Sequence, residues 1–297
     1  MASRRVEVDV EGRRLSLSNL DKVMYPAVGF TKGQVIDYYT RIAPVVLPHL
    51  RDRPLTLKRY PNGVEGGHFY EKNAPSHRPE WVRVAPIELS TKTIPFVLCN
   101  DLPTLVWVAQ LASLELHPSL SLAEDINRPS VMAFDLDPGP GAGLPECCEV
   151  AFILREALAK LKLDCFAKTS GSKGIQVYVP LNVDDVDYDH GSKALSHALA
   201  RHLEDQHPKL IVSSQKKELR QGKVLIDWSQ NDENKTTVGV YSLRARERPT
   251  VSTPLGWDEL EDPDALVFEA ADVLERVEAH GDLFAPVAEL RQELPGL

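Results

Sequence analysis

The stretch Val131 to Gly141, VMAFDLDPGPG, alternates with a period of two before it breaks. In an extended strand Met132, Phe134 and Leu136 then share one face, while Asp135 and Asp137 share the other. The run Pro138-Gly139-Pro140-Gly141 stops the strand sharply and places both carboxylates at a sheet end, open to ligands. Further strand-like runs lie at Leu55–Arg59, Cys165–Lys168, Ile175–Val179, Val224–Trp228 and Val238–Leu243, several bounded by Gly or Pro. Helical periodicity predicts helices over 31–43, opened by Thr31 as N-cap, over 147–162, and over 190–205. This interleaving predicts an α+β protein whose central sheet is antiparallel or mixed, with flanking helices. The segment 249–265, rich in Pro and acids, is expected to wrap over the body before a last helix near 265–279.

Composition sets the bounds. The 297 residues, 43% hydrophobic and 26% charged, suit one large domain or two intimate ones. No apolar run approaches the roughly 20 residues of a membrane helix, and the amino terminus lacks an apolar signal core, so the expectation is a cytoplasmic protein without a membrane partner. Cys99, Cys147, Cys148 and Cys165 form no CxxC pair and are expected to be buried thiols. The net charge of -9 argues at first against a nucleic-acid partner. Residues 258–297 alone carry -10, which leaves a body near neutrality with basic clusters at Lys58-Arg59, Lys216 to Lys223 and Arg244 to Arg248. A local positive groove is compatible with that distribution.

Asp227, in KVLIDW, faces away from Val224, Ile226 and Trp228, as Asp135 and Asp137 face away from their apolar neighbours. Three acids on adjacent strands suit hard cations. Two Mg²⁺ or Mn²⁺ ions about 4 Å apart activate an attacking hydroxyl and neutralise a triphosphate leaving group. A DxD alone also serves sugar-nucleotide transferases and phosphatases of the haloacid dehalogenase type, and ends many ordinary strands. KTSGSKG, residues 168–174, joins two strand-like runs with glycines, hydroxyls and Lys173, and its backbone amides can cradle phosphate; the spacing is not that of a Walker A motif. Arg244 and Arg246, two apart after Val240–Leu243, are expected to project on one side. His117 lies between Leu116 and Pro118, where a structural histidine is the commoner case.

The order of the motifs is more specific than any one of them. FDLDPG at 134–139, TSGSKG at 169–174, VLIDWSQN at 224–231, KTT at 235–237 and YSLRAR at 241–246 together resemble the polymerase domain of bacterial DNA ligase D and its stand-alone relatives, within the archaeo-eukaryotic primase superfamily. The resemblance covers about 13 to 285.

It implies a primase-polymerase core of the RRM-like kind in a single domain over 1–297. The DNA-end-binding part would fall at about 1–115, the catalytic core at about 116–250 and an acidic wrap at about 251–297. It implies that Asp135, Asp137 and Asp227 are the catalytic triad holding two Mn²⁺ or Mg²⁺ ions. Lys58, His117, Ser170, Ser172, Lys173, Gln230, Arg244 and Arg246 would bind the nucleotide, and Arg220 would be a mobile-loop arginine. LSNLDKVMYP followed by TKGQVIDYY matches the family's pocket for a DNA 5′-phosphate, with Asn19, Lys22 and Lys32 as contacts. Phe69 and Tyr70, in GGHFYEKN, match the aromatics that stack on a template base.

The implied activity is template-dependent nucleotidyl transfer that extends primer 3′-hydroxyls at breaks or gaps in non-homologous end joining, with ribonucleotides preferred. The implied partners are 5′-phosphorylated DNA, nucleoside triphosphates, Ku and a DNA ligase, in a nucleoid-associated setting. The alternatives are a de novo primase, a metal-dependent phosphohydrolase and a non-catalytic DNA-end-binding module; the hydrolase leaves Asp227, Lys22, Lys32 and the aromatic pair unexplained. The chain departs from the family in the short stretch between His117 and Asp135. It also departs at residues 87–98, the family's end-aligning loop, which reads more apolar than a solvent-exposed loop. No KxDG adenylation lysine is present.

Overall fold

The computed structural model describes residues 5–89 and 92–295, which form two compact units, each assembled from separate stretches of chain. The first unit takes the chain up to Pro118, Val238–Val251 and Phe268–Asp282. It begins with an antiparallel hairpin of β1 (Arg5–Val10) and β2 (Arg13–Ser18), then a small pair, β3 (Val23–Tyr25) and β4 (Phe30–Thr31). Helix α1 (Lys32–Leu50) starts where Thr31 was expected to cap it: its hydroxyl accepts from Gln34 N at 3.3 Å, and Gln34 Oε1 accepts from Thr31 N at 2.8 Å. The helix runs past the expected end at 43 because Val46, His49 and Leu50 prolong its buried stripe through Pro44 and Pro48, residues that read as stops.

An antiparallel sheet follows, of β5 (Pro54–Arg59), β6 (Phe69–Glu71), β7 (Val84–Leu89), β8 (Lys92–Leu98) and β9 (Ser113–Pro118). Strand β5 pairs with β6, β8 and β9. Residues 87–89 and 92–98 are therefore strand, and Ile87, Ile94 and Phe96 are buried, which accounts for their apolar character; residues 90 and 91 lie outside the described residues. Helix α2 (Leu102–Gln110) is capped by Asp101, whose side chain accepts from Thr104 N at 2.9 Å.

Val238–Leu243 is not a strand, contrary to the sequence reading. Tyr241 takes a left-handed φ of 62°, which breaks the extended path. Two long-range bonds tie the segment to β9: Gly239 N donates to Leu116 O, and Leu116 N donates to the Ser242 hydroxyl. Tyr38 O–H donates to Tyr241 O at 2.8 Å and Tyr241 O–H to Asp282 at 2.7 Å, holding the turn from both ends.

The second unit takes Ser119–Thr237, Ser252–Val267 and the chain from Leu283 on. Its sheet contains β10 (Val131–Pro138), β11 (Phe166–Thr169), β12 (Ile175–Pro180), β13 (Ile211–Val212), β14 (Val224–Asp227) and β15 (Pro254–Leu255). The order is β13-β14-β10-β12-β11-β15, antiparallel throughout except for the parallel pair β13 and β14. Helices α3 (Leu144–Lys160) and α4 (Lys193–Gln206) pack on β10, and a π-helical turn, Tyr188–Ser192, leads into α4. Met132, Phe134 and Leu136 are fully buried, and all four cysteines are buried free thiols. The molecule is thus α+β with antiparallel and mixed sheets. After β15 come two 3₁₀ turns, Trp257–Glu261 and Pro263–Ala265, then a helix at Ala270–His280; that helix is not the last, since Ala285–Glu289 forms another. Among the described residues no helix is long and apolar enough to cross a membrane.

Candidate functional site

Strand pairing brings the expected acids together in the second unit. Asp135 of β10 pairs directly with Asp227 of β14, and Asp137 lies two residues on, beside Leu225. The Asp135 carboxyl is half-buried and its pKa is pushed up to about 6, first by burial, then by the charges of Asp137 and Asp227, with a Gln176 hydrogen bond opposing them. The row carries more negative charge than its surroundings offset.

The other two acids are engaged. Asp137 accepts from the Arg220 guanidinium at 3.1 Å. Asp227 accepts at Oδ1 from Ser229 N, the Ser229 hydroxyl and Gln215 Nε2, and at Oδ2 from Gln230 Nε2 at 2.8 Å. In this arrangement no three His, Cys, Asp or Glu side chains among the described residues are grouped so as to hold a metal ion. The donor set nevertheless fits one: hard oxygens, excess negative charge around Asp135, and on Asp137 an arginine already occupying the place a cation would take.

The Arg220 loop is seated against the Pro-Gly turn after β10. Gly139 N donates to Lys223 O at 2.8 Å and Gly222 N to Pro140 O at 2.7 Å. A Cβ on Gly139 would lie 1.9 Å from Arg220 O, so the approach requires glycine.

The turn 169–174 joins β11 to β12 and is folded by its own hydroxyls. Ser170 Oγ accepts from Ser172 N at 3.3 Å and Gly174 N at 3.1 Å, and Ser170 N donates to Gly174 O. Ser170 is buried and shapes the turn, whereas Ser172 is half-buried and Lys173 exposed. Gly174 is fixed by contact: a Cβ there would stand 2.2 Å from Leu136 O.

A second cluster, in the first unit, centres on Glu115 of β9. Its buried carboxylate accepts from His117 Nε2 at 2.9 Å, Ala245 N at 3.1 Å, Tyr60 O–H at 3.2 Å and Lys58 Nζ at 3.3 Å, and Arg244 Nε stands at 3.4 Å. Burial alone would raise its pKa. The His117 hydrogen bond and the charges of Arg244, His117 and Lys58 outweigh that and hold it well below the usual carboxylate range. His117 is lowered by burial, partly opposed by Glu115. Arg244 is half-buried and Arg246 exposed, and the Arg246 amide N–H donates to Arg244 O at 3.0 Å, a bond that a strand would not make. Phe69 and Tyr70, adjacent on β6, are exposed and point to opposite faces. Each covers the cation paired with it on β5, Phe69 over Arg59 and Tyr70 over Lys58, and Tyr70 also meets His117 edge-on at 5.7 Å.

The same unit holds an open cavity of about 600 Å³ lined by Val6, Asn19, Leu20, Asp21 and Lys22. Lys22 Nζ donates to Pro61 O and Asn62 Oδ1, and Lys32 Nζ donates to Ser18 O at 2.9 Å. Burial, then the charges of Lys22 and Arg59, push the Lys32 ammonium down to about 8. Its charge is therefore poorly compensated by its surroundings.

Sequence reasoning missed Glu115, Tyr60, Gln176 and the buried ammonium of Lys168. Glu115 had a signal: a lone acid between Leu114 and Leu116, in phase with His117 two residues on.

A family model described as "LigD, primase-polymerase domain" matches residues 31–284. Among curated relatives, the multifunctional non-homologous end joining protein LigD of Mycolicibacterium smegmatis is 43% identical over 276 residues, which is 92% of this chain and 36% of that protein. The LigD of Mycobacterium tuberculosis strain H37Rv is 40% identical over 291 residues, 93% of this chain and 38% of that protein. The chain thus spans little more than a third of either relative. Among solved structures, the polymerase domain from Mycobacterium tuberculosis ligase D in complex with DNA superposes with a TM-score of 0.88 at 38% identity, covering 94% of this chain and 99% of that one.

Proposed function

The chain belongs to the LigD primase-polymerase domain family, and on that premise we propose that it is a template-dependent nucleotidyltransferase extending primer 3′-hydroxyls at DNA breaks or gaps. The observation that carries this reading is the pairing of Asp135 with Asp227 across adjacent strands, with Asp137 beside them and the Asp135 pKa pushed up to about 6. Asp135, Asp137 and Asp227 would hold Mn²⁺ or Mg²⁺. Bound there, the ions would supply Lewis-acid activation of the primer hydroxyl and neutralise charge on the phosphates.

The protein's own groups do the rest. Lys58 and Arg244, steadied by Glu115, offer cationic donors to a triphosphate, and His117 offers a hydrogen bond. Arg246, Ser172 and Lys173 are exposed or half-buried and extend the proposed nucleotide ligands; Ser170 shapes the turn that bears two of them. Gln230 Nε2 also donates to Asp227, so it would bridge carboxylate and nucleotide, and Arg220 frees Asp137 only by moving off it. Asn19, Lys22 and Lys32 are proposed as the 5′-phosphate contacts, and Phe69 and Tyr70 as surfaces for unpaired bases. Preference for ribonucleotides and association with Ku and a ligase belong to the same proposal.

The test is primer extension on a gapped duplex carrying a 5′-phosphate, with Mn²⁺ and either ribo- or deoxyribonucleotides. Asp135→Ala or Asp227→Ala is expected to abolish extension while gapped-DNA binding, read by fluorescence anisotropy, stays within about twofold. Full extension by either variant would refute the assignment.

A further inference from the structure

Four polar side chains cross the sheet of the second unit in one row. Asp227 pairs with Asp135, Asp135 with Gln176 of β12, and Gln176 with Lys168 of β11. Directly paired residues point to the same face, so the row reads acid, acid, amide, ammonium.

The inner half of the row is deeply buried: Lys168 is 0% exposed and Gln176 4%. Lys168 Nζ donates to Gln176 Oε1 and, at 2.7 Å, to the Ser252 hydroxyl, which in turn donates to Thr169 O at 2.8 Å. The ammonium also stands 5.3 Å over the Tyr178 ring, so its position is fixed from several sides. A glutamine amide has one accepting end and one donating end, whereas an ammonium only donates. With Oε1 committed to Lys168, Nε2 is the end left for Asp135, which lies directly across the ladder on β10 and whose pKa the Gln176 amide lowers. The reversed amide would set oxygen against carboxylate and N–H against ammonium, two repulsive contacts in a low-dielectric place.

We propose that Lys168 is a positioning residue: by fixing the sense of the Gln176 amide, it holds one edge of the Asp135 carboxylate and keeps the remaining lone pairs aimed at a divalent cation. This rests on the metal-dependent reading above and names the support that reading lacked. Groups that orient a metal ligand typically change metal affinity by about 10- to 100-fold when removed.

The experiment measures Mn²⁺ affinity of the whole chain by electron paramagnetic resonance of free Mn²⁺, without DNA or nucleotide, alongside thermal unfolding and primer extension. Gln176→Leu keeps the ammonium and removes the amide; Lys168→Met removes the lock. Both are expected to weaken Mn²⁺ binding by about tenfold or more, and the double variant to be no weaker than the worse single one. Extension by Gln176→Leu is expected to recover as Mn²⁺ is raised, which a merely structural defect would not show. A folded Gln176→Leu protein with wild-type Mn²⁺ affinity would overturn the proposal, as would additive losses in the double variant. If Lys168→Met does not fold, Gln176→Leu decides alone. Asp135→Ala separates the two levels: if wild type and Asp135→Ala take up Mn²⁺ equally, the metal reading itself fails and this inference with it.

Discussion

Removing the carboxylate of Glu115 leaves Lys58, Arg244 and His117 facing one another around the space it filled. Breaking such a buried charge cluster costs about 3–5 kcal/mol, so Glu115→Ala is expected to lower stability by that order in urea unfolding and to weaken nucleotide binding together with it. An unchanged midpoint would remove Glu115 from its central role. Lys32 gives a prediction with a sign. Its pKa, lowered to about 8, means that folding bears the cost of a buried charge below that pH and recovers the stability as pH rises toward the ordinary lysine value. A bound phosphate reverses the preference by stabilising the ammonium. Affinity for a 5′-phosphorylated gap is therefore expected to fall as pH rises from about 7 to about 9, and Lys32→Met to give a flatter profile at lower affinity. Equal slopes for the two proteins would sink the idea. At this scale strand parity made Asp135 and Asp137 legible in the sequence. The pairing of Asp227 opposite Asp135 was not, because register is set by the partner strand. Nor was the Arg220 contact, made across 83 residues.

Among elements, the turn between β11 and β12 is fixed by contact more than by composition. Gly174→Ala puts a Cβ against the Leu136 carbonyl of β10, so the ends of β10 and β12 must separate. The expected result is a loss of roughly 2 kcal/mol or more in thermal unfolding and loss of extension, because Asp135 and Asp137 share that end of β10. A variant with wild-type melting and activity would show that the turn yields more easily than its geometry implies. Two elements explain where sequence reading stopped. In Leu102–Gln110, Pro103 to Ala109 are all buried, so the helix has no polar face and no 3.6-residue stripe to detect. In Val238–Leu243 the β-branched and aromatic residues suit a strand, but the left-handed backbone at Tyr241 was imposed by Tyr38 and Asp282, distant partners that composition does not disclose.

At the scale of the molecule, the acidic segment beyond residue 257 is structural as well as charged. It supplies Phe268–Asp282 to one unit and most of Ser252–Val267, with the chain from Leu283, to the other. Ending the protein at Thr250 would remove Asp282 from His49 and Tyr241, Ser252 from Lys168, and Gln292 from Leu181. Such a truncation is expected to lose cooperative melting by circular dichroism; a sharp transition near the wild-type temperature would contradict that. The hydrogen bond from His49 to Asp282 spans 233 residues, and its consequence lies in time. At about 5–20 residues per second, the ribosome adds Asp282 roughly 10–50 s after His49 has been made. Through most of that interval the first unit lacks both Val238–Val251 and Phe268–Asp282, so its last contacts close only after the whole of the intervening second-unit chain has been made.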